Sequence, residues 1–430
     1  MLEVIIAVYS LYTFMRIYIS VMQIGYINQE KRKDPVLMPA GKYMVAANYA
    51  VAKEKVAIIE HFVDYLMFIW WVFAGFAWLS SLIGVGGSIL QAVLFLFGFI
   101  AVNYVVGLPF EIYQKFKIDE DFHFNKMTPK MFMADQLKSA AIFVVLGGAV
   151  FALLAWIIGS YEMWWLWGFV LMFVIAVAAN ILMPFFMSLF NKFSPLEEGE
   201  LKDEIVAMME TAGLKSEGIF VMDASKRDSR LNAFFGGLGK SKRVVLFDTL
   251  LEKLGKNELL AVLGHELGHF KHGDIWKNIA LMGLLLFIAF YLFGHLPDTL
   301  FTQMGVIPHA GVKIAMLMLL LPLVSFVFNP FMSYVSQHNE YAADAYGSDV
   351  GGQEHLVSAL LKLVTENKAF PKSHPLVIFF YYTHPPILER LKAMDYDASG
   401  VVVEEEEKKE EPALPNDGIF AFIDKENDDR

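Results

Sequence analysis

Residues 257–296 read NELLAVLGHELGHFKHGDIWKNIALMGLLLFIAFYLFGHL, and two patterns meet in them. The first part, from Asn257, is predicted to be a helix carrying His265-Glu266-Leu267-Gly268-His269. The second, 274–296, is apolar enough to cross the ~30 Å of a bilayer core, which takes roughly 20 residues. Residues four apart on a helix share a face, so His265 and His269 can hold one ion through their imidazoles. Glu266 then lies beside that ion, where a carboxylate can take the proton of a metal-activated water. The stretch therefore predicts a metal site at the edge of a membrane span.

Working outward, the whole chain has a membrane composition. Of its 430 residues 56% are hydrophobic and 15% aromatic, with a mean hydropathy of +0.46. Six further runs are long enough to span: about 3–24, 62–84, 88–108, 138–158, 163–190 and 312–333. The first is read as a retained span, because Arg16 interrupts it and its basic cluster Lys31-Arg32-Lys33 follows the apolar stretch. Lys and Arg crowd 27–61, 109–137 and 191–273, whereas 85–87, 159–162 and 297–311 carry none. The positive-inside rule then puts the larger segments in the cytoplasm and the N-terminus outside. There is no cysteine, so any metal must be held by nitrogen and oxygen. The net charge of −11 sits mostly in residues 401–430, with eleven Asp/Glu against four Lys/Arg, and nothing in it points to nucleic acid.

The fold class expected is mainly α and integral to the membrane: seven transmembrane helices with a small α+β cytoplasmic domain that carries the metal site. Residues 1–193 would supply spans one to five with cytoplasmic loops 27–61 and 109–137. Residues 194–273 would form the α+β segment, 274–333 spans six and seven, and 334–400 a cytoplasmic helical segment. An acidic tail, 401–430, is expected to lack structure. Within the α+β segment the pattern predicts a helix over 195–212, strands at 218–222, 231–235 and 243–247, and a turn over 236–240. After the seventh span helix is predicted to about 369, and again from Pro385.

Two histidines leave an ion under-coordinated, and a carboxylate completes the hydrolytic type of site. Glu340, in Ser336-Gln-His-Asn-Glu340-Tyr-Ala-Ala-Asp344, is the best placed, since it follows span seven on the same side as His265 and His269. Asp344, one turn on, can accept the outer N–H of a ligating histidine. His272 is three residues past His269 but sits where the helix ends, and the remaining histidines have no partner pattern. His384, in Thr383-His-Pro-Pro-Ile, reads either as a plain helix cap or as a hydrogen-bond donor to the oxyanion of a reaction.

Taken together, His-Glu-Leu-Gly-His before the sixth span, Asn339-Glu-Tyr-Ala-Ala-Asp after the seventh and His384-Pro-Pro-Ile-Leu-Glu-Arg resemble the type I CAAX prenyl proteases. Phe110-Glu-Ile-Tyr-Gln-Lys-Phe, Phe122-His-Phe-Asn-Lys and Leu231-Asn-Ala-Phe-Phe extend the resemblance over about 100–395. It implies spans enclosing a water-filled chamber, one Zn2+ on His265, His269 and Glu340, and Glu266 as general base. It also implies a transition-state role for His384 and contact of Asn232 with substrate backbone along a strand. The implied partners are the bilayer and a peptide or protein substrate, lipidated in the family's case. The address implied is the inner or plasma membrane of a prokaryote, or the endoplasmic reticulum of a eukaryote. One departure is Gln337, where the family usually has Arg. An HtpX-like quality-control protease is the nearest alternative, though four spans are usual there. A transporter or scaffold could use Arg16, Asn103 and Asn180 within the membrane but has no use for Glu266.

Overall fold

Five helices long and apolar enough to cross a membrane come first: α1 (Leu2–Glu30), α2 (Ala40–Ile83), α3 (Ile89–Asp121), α4 (Pro129–Ser160) and α5 (Trp164–Ser188). This is a computed structural model; it describes residues 1–84, 87–213, 218–236 and 243–398. The expected tail from 401 and part of the expected turn at 236–240 lie outside those residues. Local chemistry starts the helices. Ser88 accepts from the Gln91 amide at the head of α3, and Thr128 does so from Met131 at the head of α4, with Pro129 in the first helical position.

A small sheet follows, of strands β1 (Phe193–Pro195), β2 (Ile219–Met222), β3 (Ala233–Gly236) and β4 (Arg243–Phe247) in the order β1-β2-β4-β3. β2 and β4 pair parallel, the other neighbours antiparallel, and β3 is an edge. Helix α6 (Glu200–Thr211) lies between β1 and β2. Helices α7 (Asp248–Lys253) and α8 (Lys256–Lys271) come after β4. The sixth span is α9 (Asp274–Gly294), then comes short α10 (Asp298–Gln303), and the seventh span belongs to α11 (Ala310–Gly351). The chain ends in α12 (Gln353–Glu366), α13 (Pro375–Tyr381) and α14 (Ile387–Ala393).

The structure differs from the expectations at four places. Residues 193–195 are a strand and helix α6 starts only at Glu200, because Pro195 has no N–H for a ladder interior but suits the last residue of an edge strand. The last helix begins at Ile387, not Pro385: a residue preceding proline is pushed out of the helical region, and Pro386 caps at φ −51°, ψ 141°. Helix α13 was not predicted, although His374 caps it by accepting from the Leu376 amide and Pro375 opens it. The predicted helix running to 369 also breaks once, at Gly352, whose φ of +87° suits glycine.

Membrane packing and site placement meet at the α8–α11 contact. A Cβ on Gly268 would lie 2.9 Å from the Ala343 Cα, one on Gly347 2.8 Å from the His265 amide nitrogen, and one on Gly351 2.3 Å from the Ala261 Cα. Glycine is what lets the two backbones approach so closely. Gly347→Ala is expected to cost about 1–3 kcal/mol by overpacking and to lower metal content by pushing α11 from α8. Thermal unfolding and bound-metal stoichiometry check it, and wild-type values for both would refute the close-contact account. On the other side of α8, Glu258 accepts from the Gly255 amide (2.7 Å), from Ser358 (2.6 Å) and from Lys362 (2.8 Å), tying α8 to α12.

Inside the bundle lie cavities of about 850 and 440 Å3, which share Glu60, Gly107 and Phe110 in their walls. The polar residues named within the spans are each satisfied. Arg16 pairs with Asp64 at 3.2 Å, Asn103 accepts from the Trp71 indole at 3.2 Å, and Asn180 donates to its own helix at Ala176.

Candidate metal centre

α8 presents His265 and His269 on one face, their ring centroids 4.8 Å apart, towards Glu340 on α11. His269 Nε2 is 3.1 Å from Glu340 Oε1, and His265 Nε2 is 3.5 Å from Oε2. One ligand atom from each of the three falls within 4.8 Å of the others. Two imidazole nitrogens and one carboxylate suit a borderline ion such as zinc. Glu340 is 3% exposed, and its Oε2 has no hydrogen-bond partner among the described residues, as fits an oxygen that serves a metal.

The outer nitrogens are held as well. His265 Nδ1 lies 2.9 Å from Asp344 Oδ1, and His269 Nδ1 lies 2.9 Å from Asp274 Oδ2. Each imidazole thus has a carboxylate behind it; at His269 this is a hydrogen bond, which puts the proton on Nδ1 and leaves Nε2 free to ligate, whereas His265 Nδ1 lies within ion-pair reach of Asp344 without hydrogen-bond alignment. Burial opposes charge on His269, but Glu340 and Asp274 outweigh it and hold its pKa at about 9, so metal loading expels a proton there. Burial pushes the Glu266 carboxyl up, with the two histidines pulling the other way.

Asp274 and Arg390 escaped the sequence reading. Asp274 is the first residue of α9, after Gly273 in the left-handed region at φ +68°. Its fifth-residue spacing from His269 crosses a helix break, so helical periodicity could not find it. Arg390 Nε and Nη2 bind the two oxygens of Asp344 at 2.8 and 2.5 Å, and Nη1 lies 3.4 Å from Glu340 Oε2. The Asp274→Ala variant is expected to bind zinc about 10–100-fold more weakly. A competition titration against a chromogenic chelator checks this; unchanged affinity would show that Asp274 does not serve His269.

His384 sits in the turn before α14, outside any helix, with Nε2 3.3 Å from Glu340 Oε1 and Nδ1 3.0 Å from the Thr383 hydroxyl. Partial desolvation, with Glu340 opposing and Arg390 assisting, lowers its pKa, although its side chain is 66% exposed. If the Thr383 hydroxyl donates to Nδ1, the hydrogen is on Nε2 and faces the site. Gln337 fills its own position by donating to the Ile378 and Tyr382 carbonyls at 3.1 and 2.8 Å, which holds the turn that carries His384 against α11. Asn232 does not lie on a strand as expected but immediately before β3. It is exposed, its Oδ1 accepts from the Ala233 amide at 2.9 Å, and no contact joins it to the histidines or Glu340 among the described residues. His272 ends α8 with its ring 6.2 Å from Tyr346, apart from the three candidate ligands.

Known proteins share this architecture. Residues 35–192 match the family described as CAAX prenyl protease N-terminal, five membrane helices, and residues 195–398 match peptidase family M48. CAAX prenyl protease 1 of Saccharomyces cerevisiae is 34% identical over 339 residues, covering 72% of this chain and 73% of that protein. The human CAAX prenyl protease 1 homolog is 34% identical over 356 residues, covering 71% and 74%. The crystal structure of S. mikatae Ste24p aligns with a TM-score of 0.80 at 30% identity, over 92% of this chain and 98% of that one.

Proposed function

The chain belongs to peptidase family M48 as a multi-pass membrane metalloprotease of the CAAX prenyl protease 1 type, and from that premise we propose that it cuts prenylated CAAX-type peptides near their C-terminus, with zinc on His265, His269 and Glu340. The observation that carries the reading is the convergence of His265 and His269 on α8, beside Glu266, with Glu340 on the helix that contains the seventh span.

When bound, the zinc ion polarises the peptide carbonyl and brings the pKa of a water towards ~7. Glu266 takes the proton of that water and passes it to the leaving amine. His384 donates from Nε2 to the oxyanion of the tetrahedral intermediate. Asp344 and Asp274 hold the tautomers of His265 and His269, and Arg390 neutralises the buried Asp344 and Glu340. The peptide adds as a strand along the free edge of β3, with Asn232 at its end of that edge. The excess of Lys and Arg in 27–61, 109–137 and 191–273 supports a cytoplasmic site.

Purified zinc-loaded protein incubated with a farnesylated CAAX peptide tests the proposal, with Glu266→Gln as the blank and mass spectrometry of the products. Release of the terminal three residues by the native protein alone supports it. No cleavage of that peptide, together with degradation of an unfolded membrane protein, would replace it with an HtpX-like quality-control role.

A further inference from the structure

The cavity of about 850 Å3 has one basic end that the proposed chemistry leaves without a task. Lys53 of α2 and Lys368, just past α12, both line it. Neither has a carboxylate within 4 Å among the described residues; the Lys368 ammonium rests 4.1 Å from the Phe124 ring centroid and that of Lys53 5.5 Å from that of Tyr49. Arg230, the third cation in the wall, is already committed, at 2.8 Å to Asp119 and 2.5 Å to Asp228. Burial holds the Lys368 pKa below the usual lysine value, and Arg230, Lys42 and Lys126 depress it further against the pull of Glu366. Lys368 is also in the left-handed region, at φ +46°, a conformation that disfavours a residue with a Cβ. Lys368 is half-buried and Lys53 exposed, and a partly desolvated cation with no carboxylate beside it and other cations nearby favours an anion.

The backbone ties this cation to the proposed substrate edge. The side chain of Asn367 accepts from the Leu231 amide at 2.8 Å and donates to the Leu231 carbonyl at 3.1 Å. The residue next to Lys368 is thereby lashed to the chain two residues ahead of β3. A peptide added antiparallel to β3 runs from the Gly236 end towards Leu231, so its C-terminus points at Asn367 and Lys368. Tyr382, two residues from His384, lines the same cavity, so its wall includes the turn that carries His384, although none of His265, His269 and Glu340 lines it. Three extended residues cover about 10 Å. Glu54, Glu60, Glu111 and Asp119 also line the cavity; Asp119 is paired with Arg230, and Lys53 and Lys368 are the lining cations with no carboxylate within 4 Å among the described residues.

We infer that Lys368, assisted by Lys53, binds the α-carboxylate of the substrate and so sets how far from the chain end the cut is made. This rests on the proposed C-terminal cleavage. Four rates decide it: wild type and Lys368→Met, each with a farnesylated CAAX peptide ending in a free carboxylate or in a carboxamide. In wild type the carboxamide is expected to lower kcat/KM by about 10–100-fold, the loss of one hydrogen bond to a charged group. Lys368→Met is expected to lower kcat/KM on the free acid by a similar factor, chiefly through KM. The two losses should not add, so that the variant treats acid and amide alike. Bound zinc and thermal midpoint measured on the same preparation separate loss of the contact from loss of the fold, and Lys53→Met should show the same pattern more weakly. Equal cleavage of acid and amide by wild type would overturn the carboxylate seat while leaving the proposed substrate class standing. A carboxamide penalty that persists undiminished in Lys368→Met would overturn the assignment to Lys368. Cleavage of neither peptide by wild type would instead reject the substrate reading beneath it.

Discussion

Replacing Glu266 with Gln should cut peptide hydrolysis by about 10^3-fold while leaving zinc and fold in place, since a general base contributes typically 10^2–10^4. The side chain keeps its size and its place on α8, between His265 and His269, but can no longer take a proton. Glu266 is not one of the three clustered ligand candidates, so bound zinc should stay at one per chain. The measurement is kcat on a farnesylated peptide beside zinc analysis and a melting curve. Activity within tenfold of wild type in a zinc-replete variant would remove Glu266 from the mechanism. Loss of zinc would instead make it a ligand.

Arg390→Met should be the most destabilising of the substitutions considered, at about 3–5 kcal/mol, because it strands two buried carboxylates. Asp344 and Glu340 are 1% and 3% exposed, and Arg390 is the guanidinium that contacts both. Lysine is not an adequate substitute, because one ammonium cannot reproduce the forked contact to both oxygens of Asp344 while reaching Glu340. Chemical denaturation of the zinc-free protein gives the clean comparison, as bound metal itself opposes carboxylate repulsion. A midpoint equal to wild type would mean that Asp344 or Glu340 takes up a proton in the variant, and that Arg390 is dispensable to the fold.

How much of this was legible in the sequence depends on the range of the signal. His265, Glu266 and His269 lie within one helix, so spacing alone announces them. Glu340 and Asp344 were reachable because the seventh span delivers them to the same side of the membrane. Asp274 was not, for a helix break at Gly273 destroys periodicity just where the contact forms. Arg390 was invisible as a partner for another reason: its ion pair with Asp344 joins residues 46 apart, and nothing local marks a surface-type residue that ends up buried. Hydropathy located the spans but stopped where side chains turn polar, although helical backbone bonding continues well beyond. α2, for example, starts at Ala40, some 22 residues before its predicted apolar stretch. The strand at 193–195 needed its partner Phe220–Met222 to exist, and a three-residue stretch ending in proline carries no pattern of its own.

The 42-residue α11 has a mechanical consequence. At 1.5 Å per residue it is a rod of about 60 Å, twice the thickness of a hydrocarbon core. One half is immersed in lipid and the other carries Glu340, while His265 and His269 ride on α8, which spans nothing. Pro322 and Pro330 interrupt its backbone bonding within the span, so the glycine-lined seam with α8, and not the straightness of the helix, fixes Glu340 against the two imidazoles.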